Sequence, residues 1–147
     1  MKQYIESQII IKTPITRIMD ALTEVNQLKD WWGISSAYIE NKDDGLYTLT
    51  WSASEEGIKY ISTGRIYLYN KRSHLYLTDL LYLNGDKPIL GPFKIEYNWT
   101  QESKDSVLLR VKQTGFSKEN KENEWYFEAV KSGWPQALIM LKEYLES

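Results

Sequence analysis

The sequence predicts an α+β fold, in which an antiparallel sheet of about six or seven strands is covered by one long C-terminal helix. Apolar and polar residues alternate in several segments of the central chain, most clearly from Phe93 to Thr100. Turn signals such as Glu55-Glu56-Gly57 separate these segments, and short turns connect antiparallel strands. The tail from Glu122 to Glu146 has apolar residues at helical spacing, and this stripe must be buried against the sheet.

The first elements are a predicted strand and two short predicted helices. Residues 3–12 form the strand. Thr13 and Pro14 indicate a helix start, with Thr as N-cap and Pro in the first helical position. A second short helix is expected from Gln27 to Trp31, and Gly33 is suited to end it in a left-handed conformation.

The sheet is then built from a series of hairpins. Its predicted strands are Ala37–Asn41, Leu46–Ser52, Lys59–Tyr69, His74–Tyr82, Phe93–Thr100 and the segment through Val107 and Val111 that ends near Phe116. The charged segment from Ser117 to Glu124 is expected to be a solvated loop or the entry to the last helix. The whole chain, residues 1–147, is expected to be a single domain.

Gly133 and Pro135 interrupt the stripe of the tail. Pro135 has no N–H to donate to the carbonyl of Lys131, and it disfavours helical geometry at Trp134. We therefore expect a kink, or two helical pieces that meet at Gly133. The missing side chain of Gly133 should also let the helix approach the sheet closely.

Composition excludes several classes of function. The net charge is −2, from 18 basic and 20 acidic residues, so neither a nucleic acid nor a membrane is an expected partner. Cysteine is absent, which excludes disulfides and thiolate chemistry. The chain shows neither a signal peptide nor the roughly 20 consecutive apolar residues of a membrane span. We expect a cytoplasmic monomer.

Catalytic and metal-binding signals are weak. His74 is the single histidine, and no motif places a nucleophile or an acid beside it. Neither a metal-ligand spacing nor a glycine-rich phosphate loop is present, so no catalytic residue, metal or cofactor is expected. Arg65 and Asp79 are charged residues inside predicted strands, and we expect their side chains at the surface. If these side chains pointed into the protein instead, both residues would be functional-site candidates, because a buried charge needs a partner.

Several segments, in order along nearly the whole chain, resemble one protein family. They are Ile11–Thr23, Leu28–Gly33, Asp44-Gly45, Gly64–Ile66 followed by Leu75–Thr78, Thr114–Phe116, and Gly133-Trp134 with Leu138, Leu141, Lys142 and Tyr144. The family is the activator of heat-shock-protein-90 ATPase homologue group, in the START-like (SRPBCC, Bet v 1-like) superfamily. Two departures are Asp44-Gly45, where the family often has a Gly pair, and Pro135 after the Gly-Trp pair.

The resemblance implies a helix-grip fold, in which the sheet wraps around the C-terminal helix and leaves a cavity between them. It also implies a small hydrophobic or aromatic molecule as partner. Aromatic residues make up 14% of the chain and supply the candidate cavity walls. These candidates are Trp31, Trp32, Trp51, Tyr60, Tyr76, Phe93, Tyr97, Trp99, Phe116 and Trp134. The same residues could instead fill a solid core, and the sequence leaves both possibilities open.

Three functions are compatible with this pattern. The leading hypothesis is a non-enzymatic protein that binds an apolar or aromatic ligand, such as a lipid, polyketide or flavonoid-like molecule. A second is a cochaperone-like domain that interacts with the heat-shock-protein-90 chaperone and stimulates its ATPase. A third is an enzyme of the polyketide cyclase or aromatase kind, which would need a polar group deep in the cavity, such as Arg65, Asp79 or Gln113.

Overall fold

A computed structural model describes residues 3–117 and 121–147, with residue 122 described by its backbone only. Its elements are β1 (Gln3–Ile11), α1 (Arg17–Thr23), α2 (Val25–Trp32), β2 (Ser36–Ile39), β3 (Leu46–Ser54), β4 (Gly57–Asn70), β5 (His74–Asn84), β6 (Leu90–Ser103), β7 (Ser106–Phe116) and α3 (Lys121–Glu146). This order confirms the predicted one. The centre of the charged segment after β7, residues 118–120, lies outside the described part of the chain.

The seven strands form one sheet in the order β1-β7-β6-β5-β4-β3-β2, and every neighbouring pair is antiparallel. The first strand closes against the last, with Ile9 opposite Leu109. Phe93, Tyr97 and Trp99 are buried on one face of β6, as the alternation predicts. The fold is therefore the expected antiparallel sheet covered by a long helix.

The start of the first helix differs from the prediction. Turn hydrogen bonds come first: the Arg17 N–H donates to the Pro14 carbonyl at 3.1 Å, and the Ile18 N–H donates to the Ile15 carbonyl at 3.4 Å. The helix proper begins at Arg17, so Thr13 is not its N-cap; Thr13 is buried instead. The predicted end of α2 is confirmed, because Gly33 is left-handed with φ 72°.

The last helix is continuous through Pro135, so the two pieces expected at Gly133 are not found. Pro135 and Lys131 are both exposed. The Lys131 carbonyl, which has no N–H donor from Pro135, therefore lies on the solvent side of the helix, where a water molecule can donate to it. Gly133 does not bring the helix close to the sheet either. A Cβ added at Gly133 would meet no atom within 4 Å, so this position faces open space.

The C-terminal half of α3 holds the helix onto the sheet. Its buried residues Leu138, Leu141 and Leu145 belong to the core formed with the inner face of the sheet and α1. Polar contacts tie the same half to β1 and to the residue that follows it: the Lys142 ammonium donates to the Ile10 carbonyl at 3.2 Å, and the Lys12 N–H donates to Glu146 Oε2 at 2.8 Å. No helix among the described residues is long and apolar enough to cross a membrane.

Candidate ligand-binding cavity

A cavity of about 270 Å³, open to solvent, lies between the N-terminal half of α3 and the inner face of the sheet. Its lining residues are Trp32, Trp51, Ser62, Tyr82, Ile95, Gln113, Trp125, Tyr126, Ala129, Val130, Gly133, Trp134 and Ala137. None of these described lining residues is charged at neutral pH. The walls are therefore mainly aromatic and aliphatic, with few polar groups.

The helix makes room for the cavity through small side chains. Ala129, Gly133 and Ala137 are spaced four residues apart, so they lie above one another on one face of α3. Each presents only a methyl group or hydrogen to the cavity. The cavity is thus encoded by a stripe of small residues on a helix that is otherwise rich in large ones.

A cluster of tryptophans forms one wall. The Trp32 ring meets the Trp51 ring edge-on at 5.5 Å between centroids, and it meets the Trp134 ring at 5.7 Å. Behind it, Trp31 stacks on Trp32 at 4.9 Å, and the Trp31 indole N–H donates to the Ala21 carbonyl at 2.7 Å. Because each ring is held by another ring or by a hydrogen bond, this wall is preorganised.

Tyrosine and phenylalanine rings form the opposite wall. Tyr126 stacks on Tyr82 with 4.7 Å between centroids, and it contacts Phe93 at 5.1 Å. Tyr82 in turn stacks on Tyr60 at 6.5 Å. These contacts fix the orientation of both lining phenols.

The buried polar group of the cavity is Gln113, whose exposed fraction is 2%. The Trp134 indole N–H donates to Gln113 Oε1 at 2.9 Å. The Trp134 ring also packs edge-on against Tyr97 at 5.8 Å. Trp134 is therefore held on two sides and is a fixed part of the wall.

The two lining phenols are protonated at neutral pH, and burial moves their pKa values further above it. Desolvation raises the pKa of Tyr126 to about 12, the nearby Gln113 side chain opposes that rise, and the nearby Tyr82 adds to it. Burial, with a smaller effect of Tyr60, also raises the pKa of Tyr82. Both hydroxyls are thus neutral at physiological pH and serve as hydrogen-bond donors and acceptors.

The family model described as Activator of Hsp90 ATPase homolog 1-like protein matches residues 12–146. The chain belongs to this family. The match confirms the resemblance, and a search of curated proteins found no match.

Solved structures share the helix-grip fold of this chain. MLL2253 from Mesorhizobium loti is 16% identical, with a TM-score of 0.75 over 97% of this chain and 96% of that one. The Aha1 dimer from Colwellia psychrerythraea is 17% identical, with a TM-score of 0.68 over 98% and 96%. DynU16 from the dynemicin biosynthetic locus is 14% identical, with a TM-score of 0.75 over 98% of this chain and 47% of that one. At these identities the likeness shows the fold alone.

The structure brings most of the predicted wall residues to one region. Three line the cavity: Trp32, Trp51 and Trp134. Five contact a lining aromatic ring from behind: Trp31, Tyr60, Phe93, Tyr97 and Phe116. Two lie elsewhere. Trp99 is buried in the core, and Tyr76 lies on the outer face of the sheet, where its hydroxyl donates to Asn98 Oδ1 at 2.7 Å.

The three polar candidates for a group deep in the cavity lie in different parts of the structure. Gln113 lines the cavity, whereas Arg65 and Asp79 are exposed. Asp79 has a positive φ of 54° where the pairing of β5 with β6 shifts register, and Arg65 donates to the Asp44 carbonyl at 3.4 Å. Both charges therefore have the surface placement that the sequence favours.

Sequence reasoning missed part of the lining. The missed residues are Ser62, Ile95, Tyr82 and most of the α3 wall: Trp125, Tyr126, Ala129, Val130, Gly133 and Ala137. Ile95 carried a usable signal, since it shares the alternating face of Phe93 and Tyr97. Tyr82 carried none, because the register shifts in β5 change which residues face inward.

Proposed function

We propose that this domain is a non-enzymatic binding protein for a small apolar or aromatic molecule, held in the cavity between α3 and the sheet. The observation that carries this proposal is the cavity itself, with about 270 Å³ of space inside aromatic walls. Ligand sites are typically apolar hollows with a few well-placed polar groups, and here Gln113 and Ser62 supply such groups.

The volume limits the size of the ligand. A cavity of about 150 Å³ with apolar walls holds benzene. A cavity of about 270 Å³ therefore has room for two fused rings or a short branched chain, and it is far larger than a single water needs. A flavonoid, a polyketide or a long acyl chain would have to extend through the opening to solvent.

The lining supports binding better than catalysis. Acid–base chemistry at neutral pH needs a group whose pKa lies near the operating pH. The titratable lining groups are tyrosines, and burial raises the pKa values of both Tyr82 and Tyr126. Gln113 and Ser62 do not ionise in this range. These groups orient a ligand and exchange no protons with it.

Tryptophan emission and titration calorimetry test the proposal. Indane, naphthalene, flavone and a medium-chain fatty acid form a suitable panel. Four of the six tryptophans line the cavity, so a bound ligand should produce a saturable change in emission together with heat. No emission change and no heat with any member of the panel would contradict the proposal.

A blocking variant locates the site. Gly133→Leu places a side chain where a Cβ meets no atom within 4 Å, so the helix keeps its position while the cavity is filled. We expect at least a tenfold loss of affinity for any ligand that binds the wild type, about 1.4 kcal/mol. Ser132→Leu adds the same side chain at the neighbouring exposed position and should leave affinity unchanged. Equal affinity in wild type and Gly133→Leu would place the site elsewhere.

A further inference from the structure

The hydrogen bond between Trp134 and Gln113 joins α3 to β7 and fixes the orientation of a buried amide. An indole N–H is a donor only, so the Gln113 atom that it meets at 2.9 Å is the acceptor, the carbonyl oxygen Oε1. The same bond therefore assigns the other end of the amide. That end is the nitrogen Nε2, which carries two N–H donors and no acceptor.

The N–H groups of Gln113 Nε2 face the cavity. Among the hydrogen bonds of normal distance and angle that the described residues form, none uses this nitrogen. In the same part of the chain, the buried side-chain atoms that have neither a partner nor contact with solvent are Thr13 Oγ1, Gln27 Oε1 and Trp99 Nε1. Gln113 Nε2 is not one of them, so it borders accessible space. Because Gln113 lines the cavity, that space is the cavity.

Two features distinguish Gln113 from the other polar side chains of the cavity. It is 2% exposed, whereas Ser62, Tyr82 and Tyr126 are half-buried. A hydroxyl hydrogen rotates to suit its surroundings, whereas an amide held at its oxygen keeps its N–H groups in place. A ligand that fills the cavity removes water from these N–H groups, and a buried donor without an acceptor is unfavourable. The ligand therefore has to bring the acceptor.

We propose that the Nε2 group of Gln113 binds a hydrogen-bond acceptor of the ligand, and that this acceptor is the carbonyl oxygen of an uncharged bicyclic compound. A carbonyl accepts without adding a donor that would itself need a partner. The compound is uncharged because no described lining residue carries a charge, and an ion taken out of water needs a partner. This inference rests on the proposed function, since it names the ligand chemistry of the same cavity.

NMR of the glutamine side-chain amides tests the contact in the wild-type protein. The Gln113 signals are identified by their through-space contact with the Trp134 indole proton. 1-Indanone carries a carbonyl oxygen on the ring system of indane. With 1-indanone bound, one N–H proton of Gln113 should lie downfield of its position with indane bound. Gln101 is the internal control: its Nε2 donates to the carbonyls of Ser103 and Ser106, so its signals should be the same with both ligands.

Calorimetry measures the contribution of the contact to affinity. The measured quantity is the affinity for 1-indanone divided by the affinity for indane. Gln113→Leu alone would release the Trp134 indole N–H as a new donor, so the comparison is made in a Trp134→Phe background. In that background we expect Gln113→Leu to lower the ratio about 3- to 10-fold. Ser62→Ala removes another polar lining group and should leave the ratio unchanged.

The outcomes separate the two proposals. Binding of both ligands with identical Gln113 amide signals overturns this inference and leaves the proposed function intact. An equal ratio in Trp134→Phe with and without Gln113→Leu does the same, and so does an equal fall of the ratio with Ser62→Ala. Tighter binding of indane-1-carboxylate than of 1-indanone would contradict an uncharged ligand. Failure of the wild type to bind either ligand or any member of the wider panel removes both proposals.

Discussion

The two halves of α3 lie on the same sheet but pack against it differently. In the C-terminal half, Leu138, Leu141 and Leu145 are buried within the aliphatic core. In the N-terminal half, Ala129 and Gly133 line the cavity that lies between this half and the sheet. One helix therefore anchors the fold at one end and leaves a hollow at the other, and side-chain size at helical spacing decides which occurs.

The rigidity of the opposing surface reinforces this difference. Flexible aliphatic side chains close small gaps by repacking, whereas rings locked by other rings do not. The walls opposite the N-terminal half consist of such locked rings, for example Trp32 between Trp31 and Trp134. A hollow can thus persist there without collapsing.

The largest expected effect on stability is in the C-terminal half of α3, where the side chains fill the core. Leu141→Ala removes a side chain with 0% exposure, and we expect it to lower the free energy of unfolding by about 2.7–5 kcal/mol. The control is Ile139→Ala, whose side chain is 51% exposed and should cost less than about 0.5 kcal/mol. Urea denaturation measures both. Similar losses for the two variants would show that this half of the helix is not packed as described.

The next effect concerns the buried hydrogen bond at the cavity. Trp134→Phe leaves Gln113 Oε1 without its donor, and we expect a loss of about 1–3 kcal/mol from the unpaired oxygen. In a Gln113→Leu background the same change should cost less, because no acceptor is left unpaired. A thermodynamic cycle of the four proteins measures the difference, and an equal cost in both backgrounds would refute the coupling.

A smaller effect on stability, of opposite sign, is expected in the N-terminal half of α3, beside the cavity. Gly133→Ala should raise the free energy of unfolding by about 0.5–1 kcal/mol, because alanine favours the helix and its Cβ meets no atom within 4 Å. Gly115→Ala is the contrasting variant: its φ is 109° and its Cβ would lie 2.6 Å from the Pro92 carbonyl oxygen, so it should destabilise. A destabilising Gly133→Ala would mean that the space is occupied. Thermal denaturation is sufficient for this comparison.

The smallest expected effect is on the pH dependence of stability, through Glu146 at the C-terminal end of α3. A hydrogen bond from the Lys12 N–H, followed by one from Lys142, lowers the pKa of Glu146 below its usual 4.5. A carboxyl whose pKa is lowered by folding stabilises the protein above its unfolded pKa. This contribution is lost as the pH falls from 4.5 through the lowered value. Glu146→Gln should flatten the pH dependence of the melting temperature in that range, and an unchanged profile would contradict the contact.

The sheet was predictable because its signals are local. The alternation from Phe93 to Thr100 defines β6 and its buried face before any tertiary contact is known. The turn at Gly57 and the left-handed end of α2 at Gly33 follow from the special backbone freedom of glycine. Each of these features depends on a few neighbouring residues only.

The cavity was harder to predict because it depends on space that no residue occupies. Gly133 was predicted to bring the helix close to the sheet, whereas it borders the hollow. Tyr82 lies beyond the shift at Asp79, where strict alternation no longer assigns faces. Pro135 is a strong local signal for a break, yet its exposed position lets the helix continue.

Fluorine NMR of protein labelled with 5-fluorotryptophan tests the central claim directly, because tryptophans lie both in the walls and outside them. With saturating indane, the resonances of Trp32, Trp51, Trp125 and Trp134 should shift, since all four line the cavity. Trp99 is the internal control; it is buried four residues along β6 from the lining residue Ile95, about 13 Å away, and its resonance should stay in place. Unchanged spectra, or a shift of Trp99 as large as those of the wall tryptophans, would contradict a ligand site in this cavity.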